Sequence, residues 1–411
     1  MPPLTGDAGP GDAPGAGVAQ PSDRPALARI VGNVDDFASH AWGREALLRP
    51  SADPEGFADL LSEAAVDDLV SRRGLRTPFL RVARAGTTLR NADFTAPGGI
   101  GAGIADQVID DKLTALFAGG STLVLQALHR MWPPVIDFCQ QLAADLGHPV
   151  QANAYVTPPQ NQGFDDHYDV HDVFVLQVAG RKKWSIHAPV HPLPLRDQPW
   201  TDRREAVRRG ADATPVIETV LEPGDALYLP RGYLHSATAL GGVTVHLTLG
   251  VHTWTHHAVA EELVGLALEH LADDEGSRGS LPLGTDLGAD QLDAARVLAA
   301  VRAALDGVDP ADIAARMQTR RRATQRAAPL GPLAQHALAA SLADDIAVRL
   351  RDHLDASLAD GQLCSRVAQV PVDTVPGDVL KRLMAGDVLP AGDLGLDVAR
   401  RLVEAGLVVA G

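Results

Sequence analysis

The sequence predicts a mixed α and β protein in which a central region of short strands lies between two helical regions. Apolar residues recur every three or four positions between residues 34 and 74 and again after residue 257, which is typical of amphipathic helices. Between residues 151 and 252 the apolar period changes to two, and Gly, Pro and Asp turns separate the runs. Short strands without regularly alternating helices favour a sandwich or barrel over a doubly wound parallel sheet.

Composition and charge limit the function classes. The 411 residues are 45% hydrophobic and 21% charged, a globular balance with enough length for more than one domain. A net charge of −16 argues against broad nucleic-acid binding. The two cysteines, Cys139 and Cys364, cannot build a disulfide framework and indicate a reducing compartment. No signal-peptide pattern and no membrane-length apolar run is present, so we expect a cytoplasmic protein without membrane contact.

The first half of the chain is expected to pass from a tail into helices. Residues 1–27 are rich in Pro, Gly, Ala and Asp, which predicts a disordered tail. Two helices are predicted next, in the segments VDDFASHAWGREALL and PEGFADLLSEAAVDDLVSRRG. A mixed stretch follows, and its Pro133-Pro134 pair fits the opening of another helix. The predicted strands after it are NAYVT, DVFVLQV, KKWSIH, ALYLP and GVTVHLTLG.

The C-terminal part is expected to be largely helical. Two apolar stripes on predicted helices need partners, either within the domain or on a second subunit; they consist of Val259, Leu263, Leu266 and Leu271, and of Leu292, Val297, Val301 and Leu305. The last eighty residues follow the order helix, strand, helix, helix, strand, which resembles a small winged-helix module. Its many carboxylates argue against specific DNA binding and favour contact with protein.

One segment, HYDVHDVFVLQVAGRKKWSIH, carries the residues with catalytic potential. His167 and Asp169 are two positions apart, so on an extended chain both side chains point to the same face. With the later His235, they would form the two-histidine, one-carboxylate triad of non-haem Fe(II) oxygenases, which leaves positions open for a cosubstrate and dioxygen. An H-x-D pair alone is weak evidence, and a solvated turn is the alternative.

Strand parity supports the catalytic interpretation. Lys182 shares a face with Trp184 and Ile186, and a buried ammonium needs an anion such as the distal carboxylate of 2-oxoglutarate. Polar side chains also share single faces of two other predicted strands: Asn153, Tyr155 and Thr157 on one, and Thr244, His246 and Thr248 on the other. Three such strands would line a polar, ligand-holding interior. The alternative is that these faces are exposed to solvent in a sandwich.

These residues resemble the Jumonji-C (JmjC) oxygenases of the cupin superfamily, specifically the ribosomal oxygenase subgroup, from about residue 35 to the C-terminus. The resemblance implies a double-stranded β-helix (jelly-roll) JmjC domain with flanking helices, a helical dimerisation region and a C-terminal winged-helix domain. It implies that His167, Asp169 and His235 bind iron and that Lys182 pairs with 2-oxoglutarate. Asn153, Tyr155 and Thr248 match residues that line the cosubstrate pocket. The domains would be 28–255, 256–330 and 331–411.

The function implied is that of a dioxygenase using Fe(II), 2-oxoglutarate and dioxygen to hydroxylate a protein side chain, by resemblance an Arg or His of a ribosomal protein. The same chemistry on a peptide natural product or another protein is one alternative, demethylation of methyl-lysine is open to the fold, and a catalytically silent dimeric scaffold is an alternative of another class. Asp165-Asp166 precede the triad where relatives more often carry small residues or Pro. They could select a cationic side chain or could be solvated loop carboxylates.

Overall fold

The computed structural model describes residues 24–411 except 52, 85, 160, 162–163, 288–292 and 325. The chain divides into two compact units. The first consists of Met1–Leu128, Gln141–Leu146 and Ala152–Leu249, and the second of His129–Gln140, Gly147–Gln151 and Gly250–Gly411. Most of the predicted tail, residues 1–23, lies outside the described residues. Its last residues were assigned wrongly, because a helix begins at Pro25 and buries Ala26 and Leu27.

Eleven named strands lie in the part of the chain before residue 252 that the structure describes. They are β1 (Leu47–Arg49), β2 (Leu80–Arg84), β3 (Thr87–Thr88), β4 (Thr95–Ala96), β5 (Gln107–Val108), β6 (Thr122–Leu125), β7 (Val150–Thr157), β8 (Asp172–His187), β9 (Ile217–Leu221), β10 (Ala226–Leu229) and β11 (Leu234–Val251).

Short helices precede these strands or lie between them along the chain. They are α1 (Pro25–Val31), α2 (Val34–Asp36), α3 (Glu63–Arg72), α4 (Asp110–Ala118), α5 (Leu128–Met131), α6 (Pro133–Leu146) and α7 (Arg204–Ala211), with a π-helix at Phe37–Ala41 and 3-10 turns at Asn91–Asp93 and Trp200–Arg203. The expected opening of a helix at Pro133 is confirmed. The first predicted helix, by contrast, ends at the π-helix, and Leu47–Arg49 is a strand because it pairs antiparallel with Ala226–Tyr228.

A nine-stranded sheet positions the residues with catalytic potential. Its order is β1-β10-β8-β11-β7-β6-β2-β3, and β9 also pairs with β8. The first part of β8 pairs antiparallel with β10, from Val173 to Leu176, and the last part pairs with β9, from Lys182 to Ile186. Strands β8 and β11 are long and adjacent, so residues that are far apart in the sequence lie side by side in this sheet.

The prediction of two separate strands, DVFVLQV and KKWSIH, is wrong, because both belong to the single strand β8. It runs unbroken over sixteen residues, and Gly180 lies inside it at φ 66°. Val173 and Val175 share an apolar cluster with Trp184 and Ile186, so the side-chain alternation shifts by one residue at the glycine. A residue without Cβ adopts this backbone conformation readily, and the strand therefore bends instead of ending.

The second unit is mostly helical, as expected. Its later helices are α8 (His256–Asp273), α9 (Glu275–Arg278), α10 (Ala294–Asp306), α11 (Pro310–Thr324), α12 (Pro332–Ser341), α13 (Gly377–Met384), α14 (Ala391–Leu394) and α15 (Leu396–Glu404). Helix α8 packs against α10 and α11. Of the two predicted apolar stripes, Leu266 is buried, Val259 and Val297 are exposed, and Leu292 lies outside the described residues.

The last eighty residues form two small sheets with their own apolar core. Their strands are β12 (Ala347–Leu350), β13 (Ser357–Ala359), β14 (Gln362–Cys364), β15 (Gln369–Pro371), β16 (Leu389–Pro390) and β17 (Val408–Ala410). One sheet has the order β16-β12-β17, and the other is the meander β13-β14-β15. The single strand predicted between the first two helices of this region is therefore wrong: the structure has several short strands there, and β14 and β15 are joined by a turn in which Ser365 N–H donates to Ala368 O. Among the described helices, none has the length and apolarity needed to cross a bilayer.

Candidate metal centre

His167, Asp169 and His235 lie together in the structure. Their candidate ligand atoms are all within 4.8 Å of one another. The two imidazole centroids are 4.4 Å apart, and His235 Nε2 is 3.7 Å from Asp169 Oδ2. Two imidazoles and one carboxylate form the donor set that non-haem Fe(II) sites use.

Backbone hydrogen bonds bring the two histidines into register. The His235 N–H donates to His167 O at 2.9 Å, and the His167 N–H donates to His235 O at 3.3 Å. The Gly232 N–H donates to Asp169 O at 3.0 Å. The segment before β8 and the start of β11 therefore form a short antiparallel bridge, and this bridge makes neighbours of residues that are 68 positions apart in the sequence (235 − 167 = 68).

Each histidine ring is oriented by a carbonyl two residues earlier in the chain. His167 Nδ1 is 2.7 Å from Asp165 O, and His235 Nδ1 is 3.1 Å from Tyr233 O. A carbonyl only accepts, so each Nδ1 carries a proton and Nε2 is the nitrogen that can bind a metal ion.

The local charges favour the protonation states that a metal ion requires. Burial acts to raise the pKa of the Asp169 carboxyl, but His171, His235 and His167 hold it below its usual value. Burial, reinforced by His167, lowers the pKa of His235 to about 4. At neutral pH the site therefore presents a carboxylate and a neutral His235 imidazole, which are the metal-binding forms.

Lys182 lies in the interior, as its strand parity predicted. The residue is buried, and its Nζ donates to Thr157 Oγ1 at 3.5 Å. Thr157 Oγ1 in turn accepts from Thr122 Oγ1 at 3.3 Å. Burial lowers the pKa of Lys182 to about 7, since no carboxylate offsets the loss of hydration. The position fits a site for an anion that enters from solvent.

Three buried polar atoms near this lysine have no hydrogen-bond partner among the described residues. They are Trp184 Nε1, Thr244 Oγ1 and His246 Nδ1. Burial, together with the charges of Lys182 and His235, holds the pKa of His246 well below its usual value, so its ring is neutral. Buried polar groups are normally hydrogen-bonded, so three unpaired ones on the inner strands indicate space for a polar ligand.

The remaining predicted cosubstrate residues lie on β7 and β11. Tyr155 stacks on His246 with centroids 5.0 Å apart, and burial raises the pKa of its hydroxyl to about 12. Asn153 already accepts a hydrogen bond from Ala127 N–H at 3.0 Å through its side-chain oxygen. Thr248 is half-buried two residues beyond His246. Their contact with a cosubstrate stays a prediction.

Aromatic residues next to the triad were missed by sequence reasoning. The Phe164 and Trp200 rings lie 6.1 Å and 6.3 Å from the His167 ring, and the Arg204 guanidinium lies 4.8 Å over Trp200. Trp200 belongs to a 3-10 turn more than thirty residues after His167 and Asp169 and well before His235, so no spacing rule connects it with His167. Phe164, three residues before His167, was within reach of the sequence argument.

The other candidate residues lie outside the metal-binding group. Asp165 is exposed and Asp166 half-buried, and the Asp166 charge reaches His235. His171 influences the pKa of Asp169 but is not part of the three-residue group. Several arginines on helices α7 and α11 form ion pairs within the chain: Arg209 with Glu205, Arg320 with Glu261 and Glu262, and Arg321 and Arg322 with Asp355.

Comparison with known proteins agrees with this geometry. Residues 130–259, which include the whole triad, match the family model described as JmjC domain. The chain carries a JmjC domain. Ribosomal oxygenase 1 of Rattus norvegicus is 32% identical over 227 residues, which cover 54% of this chain and 36% of that protein. The bifunctional lysine-specific demethylase and histidyl-hydroxylase NO66 of Aedes aegypti is 30% identical over 221 residues, 53% of this chain and 33% of that protein.

Solved structures support the same fold over a longer range. The ribosomal oxygenase YcfD of Escherichia coli superposes with a TM-score of 0.55 at 16% identity and covers 92% of this chain and 98% of that one. A structure of YcfD with cobalt and 2-oxoglutarate gives a TM-score of 0.52 at 16% identity, with 92% and 97% covered. The chain thus shares the mixed α/β fold of these structures, and its residues 130–259 match the JmjC domain model. It spans about a third of the length of the curated relatives it matches.

Proposed function

We propose that this protein is an Fe(II)- and 2-oxoglutarate-dependent dioxygenase that hydroxylates a protein side chain. The observation that carries the proposal is the convergence of His167, Asp169 and His235 within 4.8 Å beside an interior that contains a buried lysine. A scaffold has no use for buried, unpaired polar groups, which cost stability. The names of the relatives, which include oxygenases and a histidyl-hydroxylase, support the same reaction class.

The residues present fit both an iron ion and 2-oxoglutarate. His167, Asp169 and His235 would hold the iron through two nitrogens and one oxygen, and the carbonyls behind each ring fix the orientation of the imidazoles. Lys182 would hold the distal carboxylate of 2-oxoglutarate, and Trp184 Nε1, Thr244 Oγ1 and His246 Nδ1 offer unpaired polar atoms for the rest of it. Asn153, Tyr155 and Thr248 would complete the wall of this pocket.

When bound, the iron, 2-oxoglutarate and dioxygen supply the oxidising chemistry that places one oxygen atom on a substrate carbon. The chain's own residues bind and orient. Lys182 neutralises the anion in a buried place where electrostatic attraction is strong. Trp184 lies with its ring 6.1 Å from the His235 ring, and Trp184, Tyr155 and Phe164 keep the interior largely apolar around the triad.

The substrate we propose is an Arg or His side chain of a ribosomal protein. Phe164 and Trp200 flank His167 with flat rings, which suit a guanidinium or an imidazole. Asp165 and Asp166 add negative charge beside the triad, which favours a basic partner. These features support a cationic, planar side chain over a neutral peptide.

A homodimer in the cytoplasm is the state we propose for the protein. Helices α8 and α10 leave five large apolar side chains exposed by 39 to 60%: Val259, Val264, Leu268, Val297 and Leu298. Such a surface on neighbouring helices is typical of an interface between subunits.

The activity is tested with purified protein, Fe(II) and 2-oxoglutarate, by measuring succinate release. We expect turnover in the wild type and none above background in His167→Ala, while His257→Ala, which removes an exposed imidazole on helix α8, retains it. Intact-mass spectrometry of ribosomal proteins from the source strain, with and without the gene, then tests the substrate. Loss of one oxygen mass from one protein in the deletion strain identifies it, and no change removes the ribosomal assignment.

A further inference from the structure

A buried ion pair lies close in sequence to the candidate metal ligands. The Asp172 side chain is fully buried and the Arg231 side chain is 12% exposed, with Arg231 Nη1 3.3 Å from Asp172 Oδ1. The same carboxylate accepts from the Arg231 N–H at 3.1 Å and from the Tyr228 hydroxyl at 2.6 Å. A buried carboxylate with three donors is held in one orientation, because losing any donor leaves an uncompensated charge.

The pair joins the two segments that carry the triad. Asp172 follows Asp169 by three residues, and Arg231 precedes His235 by four. The two segments are also linked by the backbone hydrogen bonds of the His167–His235 bridge and of Gly232, and by the approach of the triad side chains themselves. The Asp172 contacts add a side-chain connection that involves none of the candidate ligands, between the start of β8 and the turn before β11.

The contacts extend to a third element. The Tyr228 hydroxyl, which donates to Asp172, also accepts from the Gly43 N–H at 2.8 Å. The Tyr228 ring packs edge-on against Phe37 with centroids 4.9 Å apart and stacks on Trp42 at 5.9 Å. Asp172 is therefore tied to the N-terminal helical segment as well as to β10 and the turn that follows it.

We propose that Asp172 is a positioning residue for the metal centre, which acts through Arg231 and Tyr228 to fix the segment bearing His167 and Asp169 against the segment bearing His235. It touches neither iron nor substrate. The inference rests on the proposed function, because it presupposes that the triad binds a metal ion. Its consequence is that metal affinity depends on a carboxylate that is not a ligand, as is common for groups that orient ligands.

The test is Co(II) binding by the full-length chain, followed by visible absorption, with no turnover required. Asp172→Asn keeps the shape of the side chain and removes its charge, so we expect the Kd for Co(II) to rise about 10- to 100-fold and the absorption bands to change. Arg231→Lys keeps the positive charge but replaces the planar guanidinium, with its several N–H donors, by an ammonium group. We expect a smaller rise in the Kd for Co(II). Tyr228→Phe keeps the ion pair and removes one donor, with the smallest effect. Binding is measured at a temperature at which circular dichroism shows that each variant is folded.

Asp355→Asn is the matched control. Like Asp172, Asp355 forms ion pairs with arginine, in this case Arg321 and Arg322, but it lies in the second unit. We expect it to lower the melting temperature without changing the Kd for Co(II). An unchanged Kd in Asp172→Asn, or an equal change in Asp355→Asn, overturns the positioning role. If Asp172→Asn does not fold, an unchanged Kd in both Arg231→Lys and Tyr228→Phe overturns it. If the wild type itself binds no Co(II), the proposed function fails and the inference falls with it.

Discussion

At the scale of single residues, burial of the Lys182 ammonium lowers the free energy of unfolding of the ligand-free protein. The folded protein lowers the pKa of Lys182 to about 7, whereas an unfolded chain leaves it near 10.5. Between these values the unfolded state binds the extra proton, so the free energy of unfolding rises with pH across this window. Below pH 7 the buried ammonium destabilises the ligand-free protein fully, and above pH 10.5 the effect disappears.

Lys182→Met isolates this effect. From pH 7 to pH 9 we expect the wild type to gain about 2 kcal/mol in free energy of unfolding relative to the variant, because one pKa unit corresponds to roughly 1.4 kcal/mol. Urea unfolding of both proteins at each pH measures the difference. Lys183→Met, at an exposed lysine paired with Glu218, is the control and should show no such trend. Parallel pH profiles for wild type and Lys182→Met would contradict the burial argument.

Trp200 is expected to contact the substrate rather than the cosubstrate. Its ring lies beside His167 and under Arg204, at a part of the site formed by a loop element instead of the inner strands. Trp200→Ala should raise the KM for the protein substrate about tenfold, or ~1.4 kcal/mol, with the KM for 2-oxoglutarate unchanged. Steady-state kinetics, with the protein substrate and 2-oxoglutarate varied in turn, measures the two KM values separately. Phe79→Ala, at another partly exposed aromatic, should change neither constant, and a rise in the KM for 2-oxoglutarate alone would refute the assignment.

Strand parity in the sequence was enough to predict residues that the structure brings into the candidate site, but not residues whose place there depends on tertiary contacts. His167, Asp169 and Lys182 follow from alternation along an extended chain. Trp200 and Arg231 could not be found this way, because they meet His167 and Asp172 only after separate segments pack. Asp172 looked like an ordinary polar strand start, and its burial is visible only in the fold.

At the scale of elements, Gly180 explains why two predicted strands are one. A Cβ at this position would lie 2.1 Å from Val243 O, and φ is 66°. Gly180→Ala should therefore lower the free energy of unfolding by at least about 2 kcal/mol, from the left-handed backbone and the clash together. Gly241→Ala is the control for conformation alone, since Gly241 has φ 77° and nothing within 4 Å of its Cβ position.

Denaturant unfolding of both alanine variants measures the two contributions. The Gly180 variant should lose clearly more stability than the Gly241 variant, and equal losses would show that close approach of β8 to β11 is unimportant. The two strands around Gly180 were each predicted from the sequence, but their continuity was not. A glycine between two apolar runs is as common in a hairpin turn as in a bend, and only the pairing partners distinguish them.

At the scale of the whole molecule, the change of hydrophobic period near residues 151 and 252 predicted the region of the long strands β7, β8 and β11. The short strands β1 to β6, which precede this region, were not predicted, because runs of two to five residues carry too little period to be recognised. The association state depends instead on which apolar side chains remain uncovered, and this follows only from the packed structure. On α8, Val264 is 47% exposed and Leu268, one turn later, is 56% exposed. Their burial in a second copy of the chain would remove apolar surface from water.

Light scattering at micromolar concentration should therefore give twice the chain mass of 43.2 kDa. Replacing both residues, Val264→Glu with Leu268→Glu, should give a monomer, because two carboxylates cannot be buried at a self-complementary apolar contact without large desolvation costs. Leu333→Glu is the control: Leu333 is 85% exposed on α12, so the same substitution there should leave the dimer intact. A wild-type protein that is monomeric under these conditions would remove the dimer proposal, and a dimer that survives the double substitution would place its interface away from α8.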